Sequence, residues 1–256
     1  MEHYLYGALI VLVTVGGAAG ALWLGHRRGE RARAALGDDA DHRTSHVGVV
    51  LGALLGLLGL MLGFTFAGAS GRFVERQRLI VVEANAIGTA WLRADLLGAE
   101  DRAALRGALR QYAEHRVALA STVEHAEIVR ADAALDADCT RLWDVAVAGT
   151  GRAPGTAILV LPLVNEVIDL QGERKAVARL QLPAAVVALL AVAAGVSIFA
   201  IGFAEGLMAS RHRVFAIALT VLVAMAVWLT IDLDHPREGL TQVDASALVE
   251  VLESMK

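Results

Sequence analysis

A single cysteine, Cys139, stands in 256 residues. Its solitude excludes an intramolecular disulfide and any multi-cysteine metal centre, and leaves it to act as a small hydrophobe. Lysine is almost as scarce, with two against 21 arginines, and 27 acidic residues bring the net charge to −4. That balance provides no basic stripe for nucleic acid, which is therefore not an expected partner. The arginine bias, with abundant alanine and glycine, has the stamp of a high-GC bacterial genome. Only four prolines interrupt the chain, and no stretch alternates apolar and polar residues as a half-buried strand does. The most informative scarcity is local. Residues 4–25, 47–71, 180–204 and 214–231 contain no Asp, Glu, Lys, Arg or His. The other 166 residues hold all 50 charged side chains, a density typical of soluble surfaces. A single soluble globule is excluded.

A bilayer core of about 30 Å takes roughly 20 apolar residues of helix. In lipid every backbone polar group must be paired within the segment, so each uncharged run is expected to be one spanning helix. The predicted fold is all-α and integral to the membrane: four transmembrane helices with a helical bundle inserted between spans 2 and 3. Residues 1–71 form the first transmembrane hairpin, 72–179 the extramembrane domain, 180–231 the second hairpin and 232–256 a tail. No Lys or Arg precedes the first run, whereas Arg27, Arg28, Arg31 and Arg33 follow it, which marks a retained anchor rather than a cleaved leader. A multi-pass protein of the bacterial inner membrane is expected, with the bilayer as its first partner.

Between the first two spans, residues 26–46 show no apolar periodicity and read as a polar loop. Residues 72–97 are expected to prolong the second span as one rod ended by Gly98. A second helix, 101–124, places Leu105, Leu109, Tyr112, Arg116 and Leu119 on one face, and a third covers 132–147. Residues 149–155 read as a turn by composition. The last helix of the domain, 158–181, is expected to run into the third span through Pro183. In the tail, Ala245, Leu248, Val249 and Leu252 recur at helical spacing, which predicts a short helix docked on the domain. The arginines of the short loops favour those loops inside and both termini and the domain outside. Arg72, Arg76, Arg78, Arg174, Lys175 and Arg179 at the domain's two junctions weigh the other way.

Two features could carry function. Gly48, Gly52, Gly56, Gly59 and Gly63 are spaced by three or four residues and share one face of the second span. Such a face serves close helix contact, within a subunit or between subunits, or lies at the pore of an oligomer; a helix facing only lipid has no use for it. Phe64 and Phe66 follow, as a constriction or as interfacial anchors. The second feature is a pair of polar groups, Glu83 and Asn85 after the second span, and Asn165, Glu166 and Asp169 before the third. At 1.5 Å per residue both lie roughly 20–25 Å from the spans. If the two rods are neighbours these residues meet, as a network closed by Asn and Arg93, as a hard-oxygen cation site, or as a polar ring on an oligomer axis. His42 and His46, near Asp38, Asp39 and Asp41, are weaker, and Glu205 reads as an interfacial partner of Arg211 or Arg213. No nucleophile–base pairing, zinc motif or phosphate loop is present, so no enzyme activity, metal or cofactor is expected. No charge falls within a span, so the usual mark of a proton-coupled transporter is missing.

Several motifs carry a family likeness. Leu60-Met-Leu-Gly-Phe-Thr-Phe66, Arg72-x-x-Glu-Arg76 and Glu83-Ala-Asn-Ala-Ile-Gly88 resemble the bacterial bestrophin-like family of four-span membrane proteins. So do Asn165-Glu-x-x-Asp-Leu-x-x-Glu-Arg174 and Asp232-Leu-Asp-x-Pro-x-x-Gly239. More distantly the sequence is similar to the bestrophin anion channels, in which the second span lines a pentameric pore. That resemblance implies that Gly63, Phe64 and Phe66 neighbour a pore. It also implies a homo-oligomer, with small inorganic ions as what passes. The sequence departs from the bestrophin neck, having Gly-Phe-Thr-Phe-Ala at 63–67. Bestrophins also keep the large domain and termini cytoplasmic, opposite to the loop-charge reading. Two functions are carried forward: an oligomeric anion channel with span 2 at its axis, and a non-conducting membrane scaffold or sensor whose helical domain binds a partner or ligand.

Overall fold

The computed structural model describes residues 2–36, 40–122, 124–208, 213–235 and 239–255, and within them omits the side chains of 2–11, 36, 40–45 and 125. The described residues form eight α-helices and no strand. They are α1 (Glu2–Leu36), α2 (Ala40–Arg93), α3 (Ala99–Ser121), α4 (His125–Arg152), α5 (Ala157–Ala178), α6 (Ala184–Met208), α7 (Arg213–Asp234) and α8 (Ser246–Ser254). Among the described residues three stretches are long and apolar enough to cross a membrane: His46–Leu96, which lies mainly in α2, Ala184–Met208 and Arg213–Asp234.

α2 is a single helix of 54 residues. No proline breaks it, and it closes in a 3-10 turn, Ala94–Leu96, before Gly98 caps α3. Elsewhere the helices depart from the sequence reading. The supposed loop 26–46 is largely helical, because α1 runs to Leu36 and α2 begins at Ala40. Its Arg, Ala, Glu and Leu are strong helix formers, and Gly29 seats its first turns against Phe203 of α6, a buried side with no large apolar residue to announce it. α4 continues through Gly149 and Gly151, which composition had assigned to a turn. A Cβ at Gly149 would stand 3.1 Å from the Asp101 Cβ, so this glycine admits α3 rather than turning the chain. α5 does not run into α6: it stops at Ala178 and α6 starts at Ala184. Pro183 disfavours helix at the residue before it, and its carbonyl accepts from the Val186 and Val187 amides at the start of α6.

The chain divides into two compact units, residues 1–71 with 181–241, and residues 72–180 with 242–256. The tail is thus shared at 241/242 rather than forming one piece. In the first unit α1, α6 and α7 pack on one another, and Ala18, Leu58, Leu190, Ile198 and Val223 form a small buried cluster. Large apolar side chains such as Leu12, Leu57, Val192 and Phe215 stay exposed, an outward-facing apolar surface suited to lipid. Two aspartates tie down the end of α7. Asp232 accepts the Leu240 and Thr241 amides at 2.8 and 2.9 Å, and Asp234 accepts the Leu182 amide at 2.7 Å. A Cβ at Gly239 would meet the Asp232 Oδ1 at 2.5 Å, so the Asp232…Gly239 spacing has a steric reason.

The second unit is a conventional bundle with a continuous core around Ile87, Leu105, Tyr112, Leu142 and Val164. Leu105, Leu109, Tyr112, Arg116 and Leu119 all point inward from α3. α8 docks against α3, burying Leu248 completely. Gln77 holds the same segment through two bonds, to the Asp244 carbonyl at 3.0 Å and from the Asp244 amide at 2.8 Å.

Candidate functional site

The span of α2 is nearly bare. Only 6% of its most apolar window is buried, against 28% in α6 and 33% in α7. At 3.6 residues per turn, Gly52, Gly56, Gly59 and Gly63 fall within an arc of about 60°, roughly 130° from the inward face of Leu58, Thr65 and Ala69. A Cβ at Gly48, Gly52, Gly56, Gly59 or Gly63 would meet nothing within 4 Å. Among the described residues, then, no packing within the chain uses this stripe. Phe64 is 71% exposed and Phe66 41%. Between them Thr65 is turned back on its helix, its hydroxyl donating to the Met61 carbonyl at 2.8 Å. The result is an uncharged face of small residues bordered by the exposed Phe66 ring, about 50° away, while Phe64 points about 110° to the other side.

Close glycine contact does occur in the same unit, on helices the sequence reading passed over. A Cβ at Gly25 would stand 2.1 Å from the Phe199 carbonyl oxygen and one at Gly29 2.2 Å from that of Phe203. Reciprocally, Gly202 faces the Leu22 carbonyl and Gly206 the His26 carbonyl, each at 2.2 Å. Two glycine pairs at i, i+4, one on α1 and one on α6, thus bring backbone onto backbone, the use of small residues expected where lipid gives no drive for association. The spacing was visible in the sequence; which helix would meet which was not.

The polar residues predicted to meet are placed apart. Glu83 lies inside the bundle, 1% exposed. It accepts from the Tyr112 hydroxyl at 2.6 Å and from the Arg116 Nε and Nη2 at 2.7 and 2.6 Å. Burial first, then the charge of Glu83, pushes the Tyr112 phenol well above its ordinary value. Burial is the largest influence on Arg116 and opposes its charge, but its bonds to Glu83 and the charges of Glu83, Tyr112 and Asp132 together raise its pKa. Asn85 and Arg93 lie on the exposed side of α2, and the Asn85 carbonyl accepts the Thr89 hydroxyl. On α5, Asn165 donates to Asp169 at 2.7 Å, and both are exposed with Glu166. Among the described residues no hydrogen bond joins the two groups, because Arg116 on α3 takes Glu83 inward. The signal for that pairing was an arginine on an otherwise apolar stripe. One contact does link the two helices, Arg78 to Glu173 at 3.9 Å.

A second polar seam, between α3 and α4, went unforeseen. Asp138, 4% exposed, accepts from Gln111 at 2.9 Å and lies 2.5 Å from the His115 Nδ1. Arg141 donates to Gln111 at 2.7 Å. Burial raises the Cys139 thiol to about 11, which keeps it protonated and unreactive. No group of three or more His, Cys, Asp or Glu among the described residues could hold a metal ion. The side chains of Asp41 and His42 lie outside the described residues, as do Asp38, Asp39 and Arg211.

The bestrophin-like domain model matches residues 12–248. The chain belongs to the bestrophin-like family. No curated protein sequence matches it. The fold of this bestrophin-like chain is that of a bacterial bestrophin homologue from Klebsiella pneumoniae, seen in crystal structures of three single-substitution variants. The first gives a TM-score of 0.69 at 15% identity, covering 94% of this chain and 96% of the homologue. The second gives 0.67 at 16%, covering 92% and 96%, and the third 0.62 at 17%, covering 100% and 97%. Because identity is so low, the likeness speaks for backbone architecture alone.

Proposed function

We propose that this bestrophin-like chain is one subunit of a homo-oligomeric anion channel of the bacterial inner membrane. In this reading α1, the first half of α2, α6 and α7 are the four spans, and the glycine face of α2 stands at or beside the axis. The observation that carries it is the open stripe: five glycines on one face where, among the described residues, nothing beyond the helix's own turn lies within 4 Å of an added Cβ. A lipid-facing helix gains nothing from such a face, whereas a neighbouring subunit or a water-filled axis does. The four-span count is supported by the direction of α1. Gly25 meets Phe199 and Gly29 meets Phe203, so α1 and α6 advance in parallel, as the first and third spans of a four-pass chain must. Selectivity for anions follows from the likeness to bestrophin channels. The exposed Phe66 ring, which borders the stripe, is the candidate constriction, and Phe64 is left as an interfacial anchor.

Full-length protein reconstituted in liposomes is expected to pass chloride and to purify as a ring of several copies. Phe66→Ala is expected to raise the flux. Absence of flux together with a monomeric or dimeric particle by mass photometry would refute the channel. That outcome favours the second reading, a non-conducting scaffold or sensor, for which the exposed Asn165, Glu166 and Asp169 face of α5 is the docking candidate. A reporter fused after residue 256 reads the orientation: a cytoplasmic signal overturns the loop-charge reading and agrees with the bestrophin arrangement.

A further inference from the structure

An open groove of about 670 Å³ lies in the first unit, lined chiefly by α1 and α7. Each of these walls is one helical stripe, with Ala18, Leu22 and His26 on α1 and Arg213, Thr220 and Trp228 on α7. The stripes run in opposite directions, since His26 and Arg213 meet at one end, Nε2 to Nη2 3.2 Å. From Thr14 to His26 the α1 wall measures about 18 Å at 1.5 Å per residue. That is close to one leaflet, roughly 15 Å, of a hydrocarbon core about 30 Å thick.

Polarity along the groove is uneven. Its length is apolar, and cationic groups gather at its mouth. Arg213 and His26 line the mouth together with Glu205, and the Arg27 guanidinium lies 4.2 Å over the Trp23 ring beside them. The acids nearby are engaged: Glu30 lies 3.3 Å from His26, and Glu205 already has an interaction of its own. Deeper in, Thr220 is 5% exposed and its hydroxyl has no partner. Ser197 on α6 is the other buried hydroxyl in this state, whereas Thr65 and Thr230 return theirs to their own helices at 2.8 and 2.7 Å. Thr220 lies about 10 Å along α7 from Arg213. A buried hydroxyl so placed is a donor without an acceptor, which costs free energy until one arrives.

We propose that this groove binds one anionic glycerophospholipid. Its phosphate diester sits at Arg213 and His26, an ester carbonyl accepts from Thr220, and one acyl chain lies along the α1 and α7 walls. A single ligand class thus meets the cationic groups of the mouth, the unpartnered donor and the leaflet-length apolar trough. The inference rests on α1 and α7 lying in a bilayer and is independent of conduction.

The test is native mass spectrometry of the delipidated full-length chain, titrated with phosphatidylglycerol or phosphatidylcholine. The wild-type chain is expected to retain phosphatidylglycerol in preference to phosphatidylcholine. Arg213→Gln should weaken that retention about tenfold or more, as expected for a lost charge-assisted bond. Ala224→Trp, which fills the trough, should abolish it. Thr220→Val keeps the side-chain volume and should weaken retention severalfold with an unchanged melting temperature. Equal retention of the two lipids, no retention by the wild type, or undiminished retention by Ala224→Trp overturns the proposal. So does an Ala224→Trp chain that keeps its lipid and loses its oligomeric state, for the occupant is then a second copy of the chain. Release of the chain from membranes by carbonate overturns the spanning reading itself, and is scored separately from the lipid titration.

Discussion

Gly25 and Gly29 on α1 and Gly202 and Gly206 on α6 recur every fourth residue, and Gly52, Gly56, Gly59 and Gly63 on α2 do nearly the same, yet their surroundings are opposite. In the first set an added Cβ would stand 2.1 to 2.2 Å from a facing carbonyl oxygen, and in the second it would stand in open space. The spacing of small residues shows that a helix can be approached closely, and not by what. One set is used up in joining α1 to α6. The other is left over, on the span with the least of its surface buried. The unspent stripe is the part of the molecule that calls for an explanation outside the single chain.

The largest expected effect tests the closed set. Gly202→Leu or Gly206→Leu drives a side chain into backbone that cannot yield, so the cost should exceed the about 1–3 kcal/mol of ordinary overpacking. Loss of the monodisperse peak in size-exclusion chromatography is the expected outcome; a normal peak would break the contrast at its root. Gly56→Leu, on the open set, should leave a monomeric fraction folded and reduce assembly, read by mass photometry. If it destabilises the chain as Gly202→Leu does, the distinction is lost.

The second unit provides a control with no glycine in it. Arg116→Leu would leave the Glu83 carboxylate buried without its cation, at a cost of about 3–5 kcal/mol. The double variant Glu83→Leu, Arg116→Leu should recover most of that loss, as a fall and partial return of the melting temperature. Tyr112→Phe removes one hydrogen bond to that charge and should cost about 1.5–3 kcal/mol.

The smallest effect concerns Asp101, whose hydrogen bond from Arg152 lowers its carboxyl pKa. Its contribution is full above the unfolded value of about 3.9 and is lost as the pH falls through the lower folded value. Asp101→Asn should therefore lower the melting temperature slightly at neutral pH, and that difference should fade only as the pH drops below about 4 toward the lower folded value. A larger loss at pH 4 than at pH 7 would reverse the sign.

The helical class was legible because absence of charge over 18 to 25 residues is a long, repeated signal. The inward face of α3 was legible because its apolar residues keep helical period, and Arg116 on that face forecast a buried partner without naming it. What periodicity could not give was pairing across the fold. Glu83 was expected beside Asn165 and Asp169 because their heights match, but height along a rod says nothing about rotation around it. α3 claimed the Glu83 side of α2, and Asn165 and Asp169 bonded to each other on the open side of α5. The same limit hid the α1–α6 contact, although both glycine pairs stood in plain view.

That contact also sets a timetable. Gly25 and Gly202 are 177 positions apart. At about 5–20 residues per second, synthesis of the intervening chain takes roughly 9–35 s. Throughout that interval the first helix has a backbone groove with no backbone to fill it, and residues 72–180 of the second unit emerge before the partner exists. A nascent chain of this protein therefore spends most of its making with its earliest helix waiting for one of its last. Mutations at Gly25 or Gly29 should consequently act late, on chains already full length, rather than on the insertion of the first helix.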